Sequence, residues 1–142
     1  INPDCTLRWT FATGDAIRSS PSIDVSDNIY FGSDDAYMRS VRPDGTLSWS
    51  FNTGGDIVGG AALSDGVYIG SGSSYFFALT FDGTLRWSYE TGDSIYASPA
   101  IDKDGVIFIG SVDYKMYSFN PDGTVRWTFT AGSRIYSSAS VI

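Results

Sequence analysis

The chain has 142 residues, a formal net charge of −7, no histidine, one cysteine, 16 glycines and 15% aromatic residues. That length holds one domain with a core, and the acidic balance repels a phosphate backbone, so no nucleic acid is expected as a partner. The single cysteine, Cys5, excludes an internal disulfide, and without histidine a Cys/His zinc site and a Ser-His-Asp arrangement are excluded as well.

The first predicted element is an outer strand, Thr6 to Phe11. It contains most of the word Asp4-Cys5-Thr6-Leu7-Arg8-Trp9, which returns as Asp44-Gly45-Thr46-Leu47-Ser48-Trp49, Asp82-Gly83-Thr84-Leu85-Arg86-Trp87 and Asp122-Gly123-Thr124-Val125-Arg126-Trp127. The tryptophans are 40, 38 and 40 residues apart, a period that marks a repeat architecture. Between them other words recur in the same order. Thr13-Gly14-Asp15 and Ser19-Ser20-Pro21 match Thr91-Gly92-Asp93 and Ala97-Ser98-Pro99. Ile29-Tyr30-Phe31-Gly32-Ser33 matches Val67-Tyr68-Ile69-Gly70-Ser71 and Ile107-Phe108-Ile109-Gly110-Ser111. A further run, Met38 to Val41, Phe76 to Leu79 and Met116 to Phe119, leads back to the Asp-Gly turn. Each repeat holds four short runs rich in β-branched and aromatic residues, separated by Gly, Pro, Asp or Ser, which are strand signals. Sustained helical spacing is absent.

Alternation predicts that Leu85, Trp87 and Tyr89 share one face, as do Leu47, Trp49 and Phe51, and Val125, Trp127 and Phe129. The Tyr30-Phe31, Tyr68-Ile69 and Phe108-Ile109 runs are apolar on both sides, which suits strands buried between sheets. The middle repeat is shorter in one turn only, where Ser64-Asp65-Gly66 stands for Asp24-Val25-Ser26-Asp27-Asn28, a variation that a loop tolerates. The longest apolar run, Tyr75 to Leu79, is far short of the roughly 20 residues that span a membrane. No charged-then-apolar leader is visible, and a start at Ile1 suggests a processed chain, a fragment or part of something longer.

Four strands at a period near 40 residues give an all-β fold of β-propeller blades. These words resemble the PQQ-like repeat group of β-propellers across the whole chain. The resemblance implies that the Ser-Ser-Pro run is the innermost strand of each blade, with Trp9, Trp49, Trp87 and Trp127 on outer strands that dock against the next blade. It also implies an extracytoplasmic location. Enzymatic members of the group bind a quinone in an axial pocket, usually with calcium and in some cases with adjacent cysteines. The one cysteine and the blade count lead us to expect no cofactor and no enzymatic activity. Asp102-Lys103-Asp104-Gly105 lacks the later glutamate of a calcium loop and reads as a hairpin turn, so no metal is expected. Cys5 stands where the other copies have glycine, which reads as drift.

The expected array is an outer strand at 6–11, blades at about 17–51, 57–89 and 95–129, and a lone inner strand at 135–142, or about 3.5 repeats. Propellers close with 4–8 blades, so the ring is expected to be completed by other copies of the chain or by further repeats. Two missing strands would make four repeats, and two such chains an eight-bladed ring. Against the constant framework, some positions vary. Arg18, Val58, Tyr96 and Tyr136 are equivalent inner-strand positions, while Asp15, Asp93, Asp35, Asp113 and Arg134 lie in the adjoining loops. Tyr and Arg are favoured at binding hot spots. Arg18, Tyr96, Tyr136 and Arg134, with the four aspartates, are therefore the candidate interaction surface. The function expected is a non-catalytic scaffold for protein interaction and assembly. The alternative is a carbohydrate- or small-ligand-binding propeller that uses the tyrosines as stacking platforms; a fragment of a quinoprotein dehydrogenase is the third reading.

Overall fold

The computed structural model describes residues 2–141. Among the described residues twelve strands form three four-stranded antiparallel sheets, each ordered as in the chain. The first contains β1 (Ser22–Ile23), β2 (Ile29–Gly32), β3 (Tyr37–Val41) and β4 (Leu47–Asn52). The second contains β5 (Ala62–Leu63), β6 (Val67–Gly70), β7 (Tyr75–Leu79) and β8 (Leu85–Glu90). The third contains β9 (Ala100–Ile101), β10 (Ile107–Gly110), β11 (Lys115–Phe119) and β12 (Val125–Thr130). These are propeller blades, each a meander of short strands joined by tight turns.

The middle sheet shows why a blade needs neighbours. Successive side chains of a strand point to opposite faces. Val67, Ile69, Phe77 and Leu79 pack with Tyr30, Met38 and Ile57 of the first blade and its junction. Tyr68, Phe76 and Ala78 pack with Ile95, Ile107, Ile109, Tyr117 and Phe119 on the other side. One sheet thus feeds two cores, and each core is completed by the next blade.

The tryptophans set the joints. Trp9 Nε1 donates to the Pro43 carbonyl at 2.9 Å, Trp49 Nε1 to Phe81 at 2.8 Å and Trp87 Nε1 to Pro121 at 2.9 Å. Each indole lies over the glycine of the next blade's Asp-Gly turn, where a Cβ would come within 2.7 Å of the ring at Gly45 and Gly123 and 2.6 Å at Gly83. Those glycines have φ of 88°, 86° and 87° at 45, 83 and 123, the left-handed region that glycine enters at no steric cost. Each turn is closed by its aspartate, as when Asp122 Oδ1 accepts from Thr124 N at 3.0 Å.

Three expectations change. The Ser-Pro runs are not strands: pairing begins after them and lasts two residues, in β1, β5 and β9. Proline has no N–H to give to a ladder, and ahead of it the segment bonds elsewhere. Ser19 Oγ donates to Gly32 O and accepts from Gly32 N, both at 2.8 Å. Second, residues 6–11 and 135–141 pair with no strand among the described residues; Ile142 lies outside the described residues. Third, Leu85 does not share the Trp87 face. A register shift pairs Ala78 with Trp87 but Leu79 with Leu85, and neighbours on β7 face opposite ways, so the bulge separates the two side chains. Leu85 is 46% exposed, and Leu47 and Val125 behave alike.

Candidate functional site

The segments leading into the inner strands meet at a shared hub. Gly60 N donates to Ser98 Oγ at 2.8 Å, and Ser98 N to Ser138 Oγ at 3.0 Å. Ser22 Oγ donates to the Ala61 carbonyl at 2.6 Å. Equivalent residues of successive repeats are therefore side by side. Arg18, Val58, Tyr96 and Tyr136, with Asp56, line one pocket of about 400 Å³.

Its polar groups are set from behind. Arg18 Nε forms an ion pair with Asp34 Oδ2 at 2.9 Å, with the arginine side chain 63% exposed and the aspartate 11%. Among the described residues no hydrogen bond engages the other nitrogens of the guanidinium. Asp34 Oδ1 is buried without a partner. The Tyr96 and Tyr136 rings are 5° from parallel with centroids 6.3 Å apart, an offset stack. Among the described residues no hydrogen bond ends on the Asp56 carboxylate, although the Asp56 carbonyl accepts from Gly72 N at 2.8 Å. At the margin, the Tyr136 and Tyr114 hydroxyls hold the Arg134 guanidinium above its ordinary pKa. The pocket thus offers aromatic faces, one guanidinium and one unpaired carboxylate, which is the chemistry of binding.

The candidate aspartates separate from this cluster. Asp35 accepts from Gly14 N at 2.8 Å and Tyr37 N at 3.1 Å, and Arg39 grips both its oxygens, at 2.9 and 2.7 Å. The Arg39 hydrogen bonds outweigh burial and, with the two amides, lower its pKa to about 2. Asp113 accepts from Gly92 N at 2.9 Å, from Lys115 N at 3.0 Å and from the Tyr117 hydroxyl. Burial pushes the Asp113 carboxyl up, but these donors outweigh it and the pKa is lowered. Both residues clasp the incoming Thr-Gly loop to its blade. Asp15 and Asp93 belong to that loop: their carbonyls accept from Thr13 Oγ1 at 2.6 Å and Thr91 Oγ1 at 2.7 Å. Their carboxylates accept from Ala16 N and Ser94 N, both at 2.7 Å.

Asp56 in the pocket and Asp34 behind Arg18 are not singled out by the sequence. Asp34 and Asp35 are adjacent and look like solvated loop charge, yet each has its own arginine. Asp56 occupies the loop position held by Ala16, Ser94 and Arg134 in the other repeats, and that unlike charge was the available signal. Among the described residues no group of three His, Cys, Asp or Glu side chains is placed to hold a metal ion. Asp102 Oδ1 accepts from Asp104 N and Val106 N, both at 2.9 Å, and so closes its own turn.

Comparison with known proteins follows this geometry. The family described as outer membrane protein assembly factor BamB matches residues 34–141. The crystal structure of BamB from Moraxella catarrhalis aligns with a TM-score of 0.72 at 21% identity, over 87% of this chain and 39% of that one. The likeness is one of fold, and this chain spans well under half the length of that protein. No curated protein matches.

Proposed function

Since this chain belongs to the outer membrane protein assembly factor BamB family, we propose that it is a non-catalytic propeller scaffold on which proteins assemble, outside the cytoplasm. Its ring is completed by further repeats or by copies of itself, and its interaction surface is the hub pocket with Arg134 at the margin. The observation that carries this reading is the convergence of Arg18, Tyr96 and Tyr136 on one pocket. Tyrosine and arginine combine large contact area with directional hydrogen bonds, and interfaces concentrate binding energy in them.

Alanine at Arg18, Tyr96 and Tyr136 together, in cells that depend on the protein for outer-membrane protein assembly, tests the reading. The variant is expected to keep its melting temperature and to lose about tenfold or more in assembly. Full assembly by a folded variant would refute it.

A second reading rests on the parallel tyrosine pair beside an unpaired Asp56 carboxylate. Flat aromatic faces stack on sugar rings, and carboxylates accept from hydroxyls. A glycan array on purified protein separates the two, because saturable binding that Tyr136→Ala removes would favour the sugar.

A further inference from the structure

We infer that a notch on the second blade, between β7 and the loop that follows β4, binds an uncharged sugar ring. It shares no residue with the hub pocket, so it stands apart from the proposed interaction surface. It lies on the middle blade, which has a packed neighbour on each side.

The three blades secure their Thr-Gly loops in two ways. In the first, Asp35 accepts from Gly14 N at 2.8 Å and is gripped by Arg39, whose guanidinium carbon lies 5.2 Å from the centre of the Tyr37 ring. In the third, Asp113 accepts from Gly92 N at 2.9 Å and from the Tyr117 hydroxyl. A carboxylate and a long partner thus fill the space beside the loop. The second blade has Ser73 where the others have Asp35 and Asp113, and Phe77 where they have Arg39 and Tyr117. Its loop is held without them: Gly54 N donates to Asn52 Oδ1 at 2.8 Å, and Ser73 Oγ to the Thr53 carbonyl at 2.7 Å. A Cβ on Gly14 would meet Asp35 at 3.3 Å and one on Gly92 would meet Asp113 at 3.1 Å, whereas one on Gly54 would meet only the Ser73 Cβ, at 3.7 Å.

The space left is about 500 Å³, lined by Asn52, Ser73, Tyr75, Phe77 and Ser88 among others, within the roughly 300–1,000 Å³ of small-ligand sites. Tyr75 and Phe77 share one face of β7, with rings 28° from parallel and centroids 5.9 Å apart. Phe77 is buried and Tyr75 half-buried, so the ring on which a ligand stacks is that of Tyr75. Among the described residues no hydrogen bond engages Asn52 Nδ2 or Ser88 Oγ. An amide and hydroxyls both donate to and accept from sugar hydroxyls. No lysine, arginine, aspartate or glutamate lines the notch, and the charge opposite Tyr75 across the ladder is the Glu90 carboxylate. A cation or anion would lose water there without gaining a counter-charge in the lining, and an acidic sugar would also meet Glu90. The occupant that fits is neutral, with one apolar face and several hydroxyls, which describes an uncharged saccharide.

An array of neutral oligosaccharides of glucose, galactose, mannose and N-acetylglucosamine, with uronate-bearing and sialylated glycans beside them, tests this on the purified chain. Saturable binding to neutral glycans is expected, with weaker binding to acidic ones. It is expected to survive Tyr136→Ala, which alters the hub alone. Ser73→Asp/Phe77→Arg rebuilds the first blade's clasp and is expected to weaken binding by about tenfold or more. Phe77 also belongs to a core, so a second variant spares it. Ser88 is exposed on β8, and isoleucine suits a strand; Ser88→Ile is expected to keep the melting temperature and to weaken binding by the same factor. No saturable binding to any neutral glycan would overturn the inference. So would a preference for acidic glycans, binding unchanged in Ser88→Ile, or binding lost in Tyr136→Ala, which would place the sugar at the hub. The assembly assay on the hub variant reads a different surface, so the scaffold reading and this one fail separately.

Discussion

The indole of Trp87 lies flat over Gly123 of the following blade, leaving a Cβ there only 2.7 Å from the ring, and donates its N–H to the Pro121 carbonyl two residues earlier. Two words of the repeat, the Asp-Gly turn and the tryptophan, are thus halves of one joint between blades. Gly123→Ala should then suffer twice, once from φ of 87° and once from the ring. Gly105 has φ of 79° but only the Pro121 Cγ nearby, at 3.2 Å. Alanine at Gly105 is expected to cost about 1–2 kcal/mol and at Gly123 about 2–5 kcal/mol. Urea denaturation of both variants checks the difference.

Position along the array decides what a tryptophan contributes. Trp87 packs against the core shared by the second and third blades, while Trp127 is 44% exposed. Trp87→Ala is expected to cost about 3–5 kcal/mol and Trp127→Ala about 1 kcal/mol or less. Similar unfolding midpoints for the two would show that the joint is not what holds the blades.

The repeat period made the blades and these joints legible, because framework residues recur where every blade needs the same contact. What the sequence concealed depends on bonds across the chain. Nothing local marks Asp35 as the partner of Gly14 N and Arg39, and its place in a variable loop suggested display. Leu85 was misplaced because strict alternation ignores a bulge, and the extra residue is visible only against β7. The inner strands were overextended because Ser19 completes the ladder with its side chain, which a β-propensity reading does not register. The hub pocket was legible in part: equivalence of register brought Arg18, Tyr96 and Tyr136 together, while Asp34 and Asp56 needed the fold.

Asp35 makes stability pH-dependent. Its folded pKa, about 2, is below the ordinary carboxyl value of 3.8. A depressed carboxyl stabilises the fold above the unfolded value, and that contribution is lost as pH falls from about 4 toward 2. Asp35→Asn is expected to lower stability by up to about 2 kcal/mol above pH 5, with the gap closing near pH 2. Thermal melts across that range check it; a gap that is constant with pH would count against the Arg39 clasp.

Burial, followed by hydrogen bonding to Asp24 and Asp65 respectively, pushes the hydroxyls of Tyr30 and Tyr68 up to about 12. A raised tyrosine pKa stabilises the fold below the unfolded value near 10, and the contribution is lost as pH climbs toward 12. Tyrosinate absorbance is expected to rise in two stages, with the later stage coinciding with unfolding.

The most direct measurement is a double-mutant cycle on Trp87→Ala and Gly123→Ala, followed by denaturant unfolding. If the ring and the turn form one joint, Gly123→Ala costs only its backbone share, about 1–2 kcal/mol, once the indole is gone. If the two costs simply add, the indole does not rest on the glycine and the blades are held together in some other way.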